Sequence, residues 1–194
     1  MTTNMIPTDT PTDTYNPLKF QELVLYVAQQ SEGDPNFGKT KLNKILFFVD
    51  FLGYGIFGRS VTGATYQRRD FGPVPREIAA ARRALLDQGA ATIEFQRRFN
   101  YPQERLIAKR GANLSVFSPD ERRLVDDVIH ELWRHSAISV SALTHREMGW
   151  RFADDREVIP YNTVFLSARG LTATDEAHGR YYALHRDALA TPAA

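Results

Sequence analysis

Past Pro17 the apolar positions fall into helical register. In PLKFQELVLYVAQQ, Phe20, Leu23, Val24 and Val27 stand at i, i+3, i+4 and i+7, one stripe of a helix. Pro17 suits a first turn, and Gly33-Asp34-Pro35 stops the element. The next run, TKLNKILFFVDFLGYGIFG, is apolar around most of its circumference: Leu42, Ile45, Leu46, Phe47, Phe48, Val49, Phe51 and Leu52. That pattern predicts a central, buried helix. Gly53, Gly55 and Gly58 are expected to fray its end. Asp50 is the odd residue of the run. Either it lies on a narrow exposed edge, or it is buried and needs hydrogen-bonding partners.

Residues 60–71 read as a short strand or loop, and residues 75–88 as a helix, joined by a Gly72-Pro73-Val74-Pro75 pivot. Each proline biases the residue before it towards extended geometry, and Pro75 suits the first helical turn. On this helix Ile78, Ala81 and Leu85 form the inner face, with Leu86 beside it. Arg76, Glu77, Arg82 and Arg83 point outward, and Gly89 is the C-terminal cap. The alternation of Ile93 and Phe95, then Leu106 and Ala108, around Asn100-Tyr101-Pro102 predicts a β-hairpin.

The second half is helical again. Ser118 and Glu121 have capping-box spacing with Pro119 between them, opening an amphipathic helix through Leu124, Val128, Ile129, Leu132 and Trp133 to about His135. SVSALTHRE predicts a short helix ended by Gly149, and WRFADDREVIPYNTVF an irregular segment anchored by Ile159-Pro160-Tyr161. TDEAHGRYYALHRDAL predicts a last helix. The fold class is therefore α+β, mostly α: a helical domain with a small antiparallel sheet.

Composition narrows the chemistry. The chain has 194 residues, 43% of them hydrophobic, enough for one domain with a self-sufficient core. Residues 1–16, rich in Thr, Pro and Asp, form a polar leader predicted to be disordered, leaving 17–190 as a single domain. With 24 basic and 23 acidic residues the net charge is +1, so nothing demands a polyanionic partner. No cysteine is present, which removes disulfides, thiolate catalysis and cysteine-based metal sites. No run is apolar and long enough for a membrane span, and the start lacks a secretory pattern, so a cytoplasmic location is the default.

Candidate catalytic constellations fail on context. GDPNFGKT, residues 33–40, fits the letters of a phosphate-binding loop, but a helix precedes it where that loop requires a strand. His178 and His185 share a face of the last helix beside Tyr182, while His130 and His135 do not share one, and neither pair has a metal-ligand pattern. Asp126-Asp127 would point apart on a helix, and Asp154-Asp155 has no site to join. No enzyme and no cofactor are expected.

Two binding readings remain. The order helix, helix, strand, helix, hairpin over residues 18–109 is that of a winged helix. A nucleic-acid partner would then meet Arg76, Arg82 and Arg83 on the recognition helix and Arg97 and Arg98 near the wing tip. Glu77, Asp87 and Glu94 dilute that patch. The other reading rests on a family. The run from Thr40 to Pro75 resembles the Panacea domain, the SocA-like antitoxin domain of bacteria and phages. The resemblance is carried by Lys41, Leu42 and Lys44 ahead of Ile45–Phe48, then Gly58-Arg59, then Phe71, Gly72, Pro73 and Val74. Further on, Ser141-Ala142-Leu143-Thr144-His145, Trp150 and Ile159-Pro160-Tyr161 match the second part of the pattern, so that it covers most of residues 18–165. Phe71 stands where the family usually has tyrosine, which removes a hydroxyl.

The resemblance implies an antitoxin of a type II toxin–antitoxin system, which binds and neutralises a toxin protein encoded beside it, with delivery of that toxin to a protease as a variant. On this reading Lys41, Leu42, Lys44, Phe71, Gly72, Pro73, Val74, Pro75, His145, Trp150, Pro160 and Tyr161 are structural or partner-binding positions. The pivot then sets the angle between strand and helix and shapes a protein-binding groove. Its plain alternative is a rigid turn without a contact role.

Overall fold

The computed structural model describes residues 13–98 and 101–166. The predicted last helix, with His178, Tyr182 and His185, lies outside the described residues, as do Asn100 at the hairpin turn and the Arg98 side chain.

Helix α1 spans Pro17–Gln30, its start capped by Asn16, whose Oδ1 accepts a hydrogen bond from the Lys19 amide at 3.0 Å. Its predicted stripe is buried, and each such side chain contributes roughly 1.5–3 kcal/mol by leaving water. Residues 13–16, assigned from sequence to the polar leader, are tied to the fold instead. Asp13 accepts from the Ser60 amide at 3.0 Å, and the Asn16 amide donates to Thr62 O at 2.9 Å.

Helix α2, Lys39–Phe57, is the axis of the molecule and packs against α1, the second strand of the ribbon, the second strand of the hairpin, the two helices that follow that hairpin and the 3-10 turn at Tyr161–Phe165. From Lys41 to Gly53 it is buried on most faces, as its greasy circumference predicts, apart from a half-buried Phe48 and an exposed Leu52, and it emerges into solvent at Gly55 and Ile56. Gly53 and Gly55 do not fray it. A Cβ on Gly53 would lie 2.9 Å from Val61 Cγ2, so the missing side chain is what lets the following loop pack against the helix.

After α2 the chain forms a two-stranded ribbon, β1 (Tyr66–Gln67) antiparallel to β2 (Val74–Pro75). Helix α3 begins only at Ile78 and runs to Asp87. Pro75 therefore ends a strand rather than opening the helix, because its pairing opposite Tyr66 holds it extended. Ile78, Ala81 and Leu85 are buried as predicted, and Gly89 follows the helix at φ 64. The hairpin, β3 (Ala91–Arg98) and β4 (Tyr101–Ala108), pairs Ile93 with Leu106 over the core. Phe95, one of the alternating apolar positions that predicted the hairpin, is exposed, and its register partner is the ion-paired Glu104.

Helix α4, Pro119–Glu131, carries the predicted capping box. It ends before His135, and Trp133 packs beside the core. Two short helices follow, α5 (Ala137–Thr144) and α6 (Met148–Phe152). Gly149 thus sits inside a second helix rather than ending the first. The segment predicted as irregular contains α6 and a 3-10 turn, Tyr161–Phe165, and between them it bridges to the ribbon, Val158 opposite Gln67. The architecture is α+β, mostly α, with two small antiparallel sheets among the described residues. The winged-helix likeness ends at element order: β1 pairs with β2 and does not join the hairpin.

Candidate functional site

On a central helix that is apolar nearly all round, each buried charge must find a partner inside the protein. Three do so in three ways. Lys41 forms a buried ion pair with Asp34 and also donates to His135 O at 3.0 Å. Asp34 in turn accepts from the Asn36 amide at 2.9 Å, closing the turn before α2. The phosphate-loop letters of residues 33–40 therefore form a capped connection between two helices. Lys39, the lysine a phosphate loop would use, is an exposed side chain 3.8 Å from Glu104.

Asp50 is fully buried, at 0% exposure, so it is not on an edge. It accepts three hydrogen bonds of 2.7 Å, from the Thr62 amide, the Thr62 hydroxyl and the Tyr66 hydroxyl. Burial still outweighs these donors and pushes its carboxyl up to about 6. Tyr161 completes this node: it donates to Ala64 O and stacks on Tyr54 with ring centres 5.6 Å apart. Burial, with Asp50 nearby, raises the Tyr161 hydroxyl. Pro160 is exposed, and its carbonyl accepts from the Thr163 amide and hydroxyl at 3.1 and 2.6 Å.

Lys44 is the third charge, 1% exposed, with no carboxylate partner among the described residues. Its ammonium donates to Pro73 O at 2.9 Å, and burial pushes its pKa down to about 7. Two further side chains hold the same loop in the same way. Ser141 donates to Phe71 O at 3.0 Å, and Trp150 Nε1 donates to Arg69 O at 3.1 Å. The carbonyls of residues 69, 71 and 73 are thus each held by a side chain from a different helix, α6, α5 and α2. Gly72 lies between them at φ 95, and its amide donates to Arg69 O at 2.9 Å. A Cβ there would lie 2.3 Å from Thr144 Oγ1 and 2.9 Å from Lys44 Nζ, so this turn accepts glycine alone.

His145 and Trp150 are packed together below the loop. Their rings stack 3.9 Å apart at 13°, and the Arg68 guanidinium lies 4.6 Å from the indole centre on this cluster. Burial first, then the Lys44 and Arg68 charges, lower the His145 pKa, while a hydrogen bond with the Asp70 main chain raises it.

The pivot's backbone faces inward, and one of its side chains does the opposite. Gly72, Pro73 and Pro75 are buried and Val74 is half-buried, while Phe71 is 73% exposed. Phe71 lines a groove of about 810 Å³ together with Gly38, Lys39, Pro102, Glu104 and Ile138. Ile138 is 84% exposed, so two large apolar side chains stand in water beside one concavity. Leu42, by contrast, is plain core.

Of the arginines proposed for nucleic acid, one is engaged inside the fold. Arg82, expected to point outward, is half-buried and ion-paired with Glu104, because the hairpin folds back against α3. Arg76, Arg83 and Arg97 are exposed. Among the described residues no cluster of three or more His, Asp or Glu side chains could hold a metal, and no helix is long and apolar enough to cross a membrane.

Sequence reading missed Asp34, taken only as part of a helix stop, and Ile138, in a short helix whose apolar and hydroxyl residues are spread around its circumference. The partnership of Arg68 with Trp150 had no signal, since 82 positions separate them in a chain read element by element.

Against known proteins, a family model described as "Antitoxin SocA-like, Panacea domain" matches residues 42–151, more than half of the chain. The match takes in Lys44, the pivot, His145 and Trp150, and leaves Lys41, Pro160 and Tyr161 outside it, narrower than the span read from sequence. No curated protein and no solved structure matches at a significant level. The three side chains that hold the pivot loop, Lys44, Ser141 and Trp150, and the loop itself all lie within that match, and the chain belongs to the SocA-like antitoxin family, defined by the Panacea domain.

Proposed function

We infer that this protein is a non-enzymatic antitoxin of the type II kind, which neutralises a toxin polypeptide by binding it directly. The observation that carries this reading is the loop 69–75. Three donors from three helices hold its backbone while Phe71 stands exposed beside Ile138 on one groove. Rigid support beneath an exposed aromatic is what an interface anchor requires, because little conformational entropy remains to be lost on binding. The family-motif positions divide accordingly. Lys44, Gly72, Pro73, His145 and Trp150 are positioning residues, and Phe71 is the contact residue. A nucleic-acid role has less support, since Arg82 is occupied by Glu104.

The test is co-expression with the product of the neighbouring reading frame, scored by growth rescue and by co-purification at high salt. Rescue by the wild type, with a salt-resistant complex that Phe71→Asp abolishes, is the expected result. A complex that dissolves steeply with salt points to polyanion binding instead. Absence of both rescue and complex overturns the antitoxin reading.

A further inference from the structure

A second groove lies further along α2, and its chemistry differs from that of the first. Phe48 and Leu52, one turn apart on α2, form one wall. Leu124, Val128 and Leu132, at i, i+4 and i+8 along α4, form the other, and Leu143 of α5 closes one end. The space is about 350 Å³, and the α4 wall runs for roughly 12 Å, just over two helical turns. Its rim carries Asp127, Glu131, Glu147 and a single cation, Arg146. None of the three carboxylates has an ion pair or hydrogen bond through its side chain among the described residues; Asp127 and Glu131 are exposed, but Glu147 is half-buried, and the other described acids that are buried or half-buried, Asp13, Glu22, Asp34, Asp50, Glu77, Glu104 and Glu121, are all engaged. Burial raises the Glu147 pKa, so an approaching cation would relieve it.

We propose that this groove is a docking site for an amphipathic helix of a partner protein, with apolar side chains at i, i+4 and i+7 and arginines or lysines on its flanks. Three physical arguments select that occupant. The floor offers almost no hydrogen-bonding group, so an extended strand would leave its own amides and carbonyls unpaired there, whereas a helix satisfies them internally. The two apolar walls follow i, i+4 rows, the ridges that accept a third helix. The rim carries three negative charges against one positive, which complements basic flanks and repels a second copy of this chain packed by two-fold symmetry, because that would set acidic rim against acidic rim. The proposal does not depend on the toxin-binding groove, which lies on other residues.

The experiment uses the full chain and a fluorescent helical peptide of about 16 residues with leucines at i, i+4 and i+7 and arginine flanks, compared with a glutamate-flanked twin. Fluorescence polarisation is expected to show dissociation constants on the order of micromolar for the basic peptide and at least about tenfold weaker for the acidic twin. Glu131→Lys, at an exposed position, weakens the basic peptide about tenfold, Leu52→Asp abolishes binding, and Phe71→Asp leaves it unchanged. Equal binding of the two peptides, or binding insensitive to both Leu52→Asp and Glu131→Lys, overturns the proposal. Because the chain has no native cysteine, Leu52→Cys carries a photo-crosslinker at one defined place. A crosslink from it into residues 167–194 of the free protein overturns the proposal too, by assigning the groove to the chain's own end. Loss of toxin rescue in Phe71→Asp with peptide binding retained separates the failure of one surface from that of the other.

Discussion

Asp50 and Lys44 sit six residues apart on one buried helix, and the protein treats them oppositely. The carboxylate receives three donors and is closed off by Tyr66 and Tyr161. The ammonium, which has three protons to give, makes one hydrogen bond, to the carbonyl of Pro73. The first arrangement fastens the loop 60–66 to the core with three donors on one carboxylate. The second holds a loop that presents an exposed phenylalanine, and it leaves a charge only partly compensated. A fully satisfied buried charge belongs to the scaffold. A partly satisfied one lies, on the reading proposed above, beneath the surface that meets a partner.

Removing the satisfied partner should do the most damage. Asp50→Ala orphans Thr62 and Tyr66 inside the core and is expected to cost about 3–5 kcal/mol, read as a lowered urea midpoint with an unchanged slope. The same group sets a pH dependence. Its carboxyl titrates near 6 in the folded state against an ordinary 3.8, so the folded protein holds a proton that the unfolded chain has lost between those limits. Stability should fall as pH rises from about 4 to about 6, and Asp50→Asn should flatten that limb. A wild-type profile that is flat over this window would contradict the buried node.

Gly72→Ala comes next. Its Cβ would run into Thr144 and Lys44 at a positive φ, so a loss of about 2–3 kcal/mol is expected, together with weakened partner binding, since the loop must shift. A crystal structure of the variant with Phe71 unmoved would show that the turn tolerates more than its geometry implies.

Lys44→Met tests the other half of the comparison. The folded ammonium titrates near 7 against an ordinary 10.5, so between these pH values the unfolded chain binds a proton that the folded one does not. Wild-type stability should therefore rise as pH increases from about 7 towards 10, and the methionine variant should lose that rise. At pH 6 the variant should match or exceed the wild type by about 1–2 kcal/mol, because burying methionine spares the desolvation of a charge and leaves one carbonyl short of a donor. Thermal melts across pH measure both effects, and a variant that keeps the wild-type slope would place the titration elsewhere. Phe71→Asp should be the mildest for the fold, within about 0.5 kcal/mol, and the most severe for toxin capture.

The long periodic elements were legible because their signals are local. The stripe of α1, the greasy run of α2, the capping box of α4 and the inner face Ile78-Ala81-Leu85 each lie within a few turns of chain. The ends of the elements were less so. Pro75 suggested a helix start by its own preference, but pairing with Tyr66 at the ribbon held it extended. Arg82 read as solvent-facing from helical phase alone, and the hairpin brought Glu104 to it from 22 positions away.

What the amino-acid order settled unaided was the kind of molecule: a mostly helical domain with one central helix and a Gly-Pro-Val-Pro turn. Helical phase, proline geometry and composition act over short distances, so they survive in one dimension. The partners of the buried charges did not. Asp34 for Lys41, Thr62 and Tyr66 for Asp50, and a bare carbonyl for Lys44 depend on which groups meet when the core closes. The same closure decides which apolar side chains find no place inside, and it left Phe71 and Ile138 in water beside one groove. Hydrophobic burial is driven by total area and hardly distinguishes one phenylalanine from another in sequence, so only the packed structure could assign that surface.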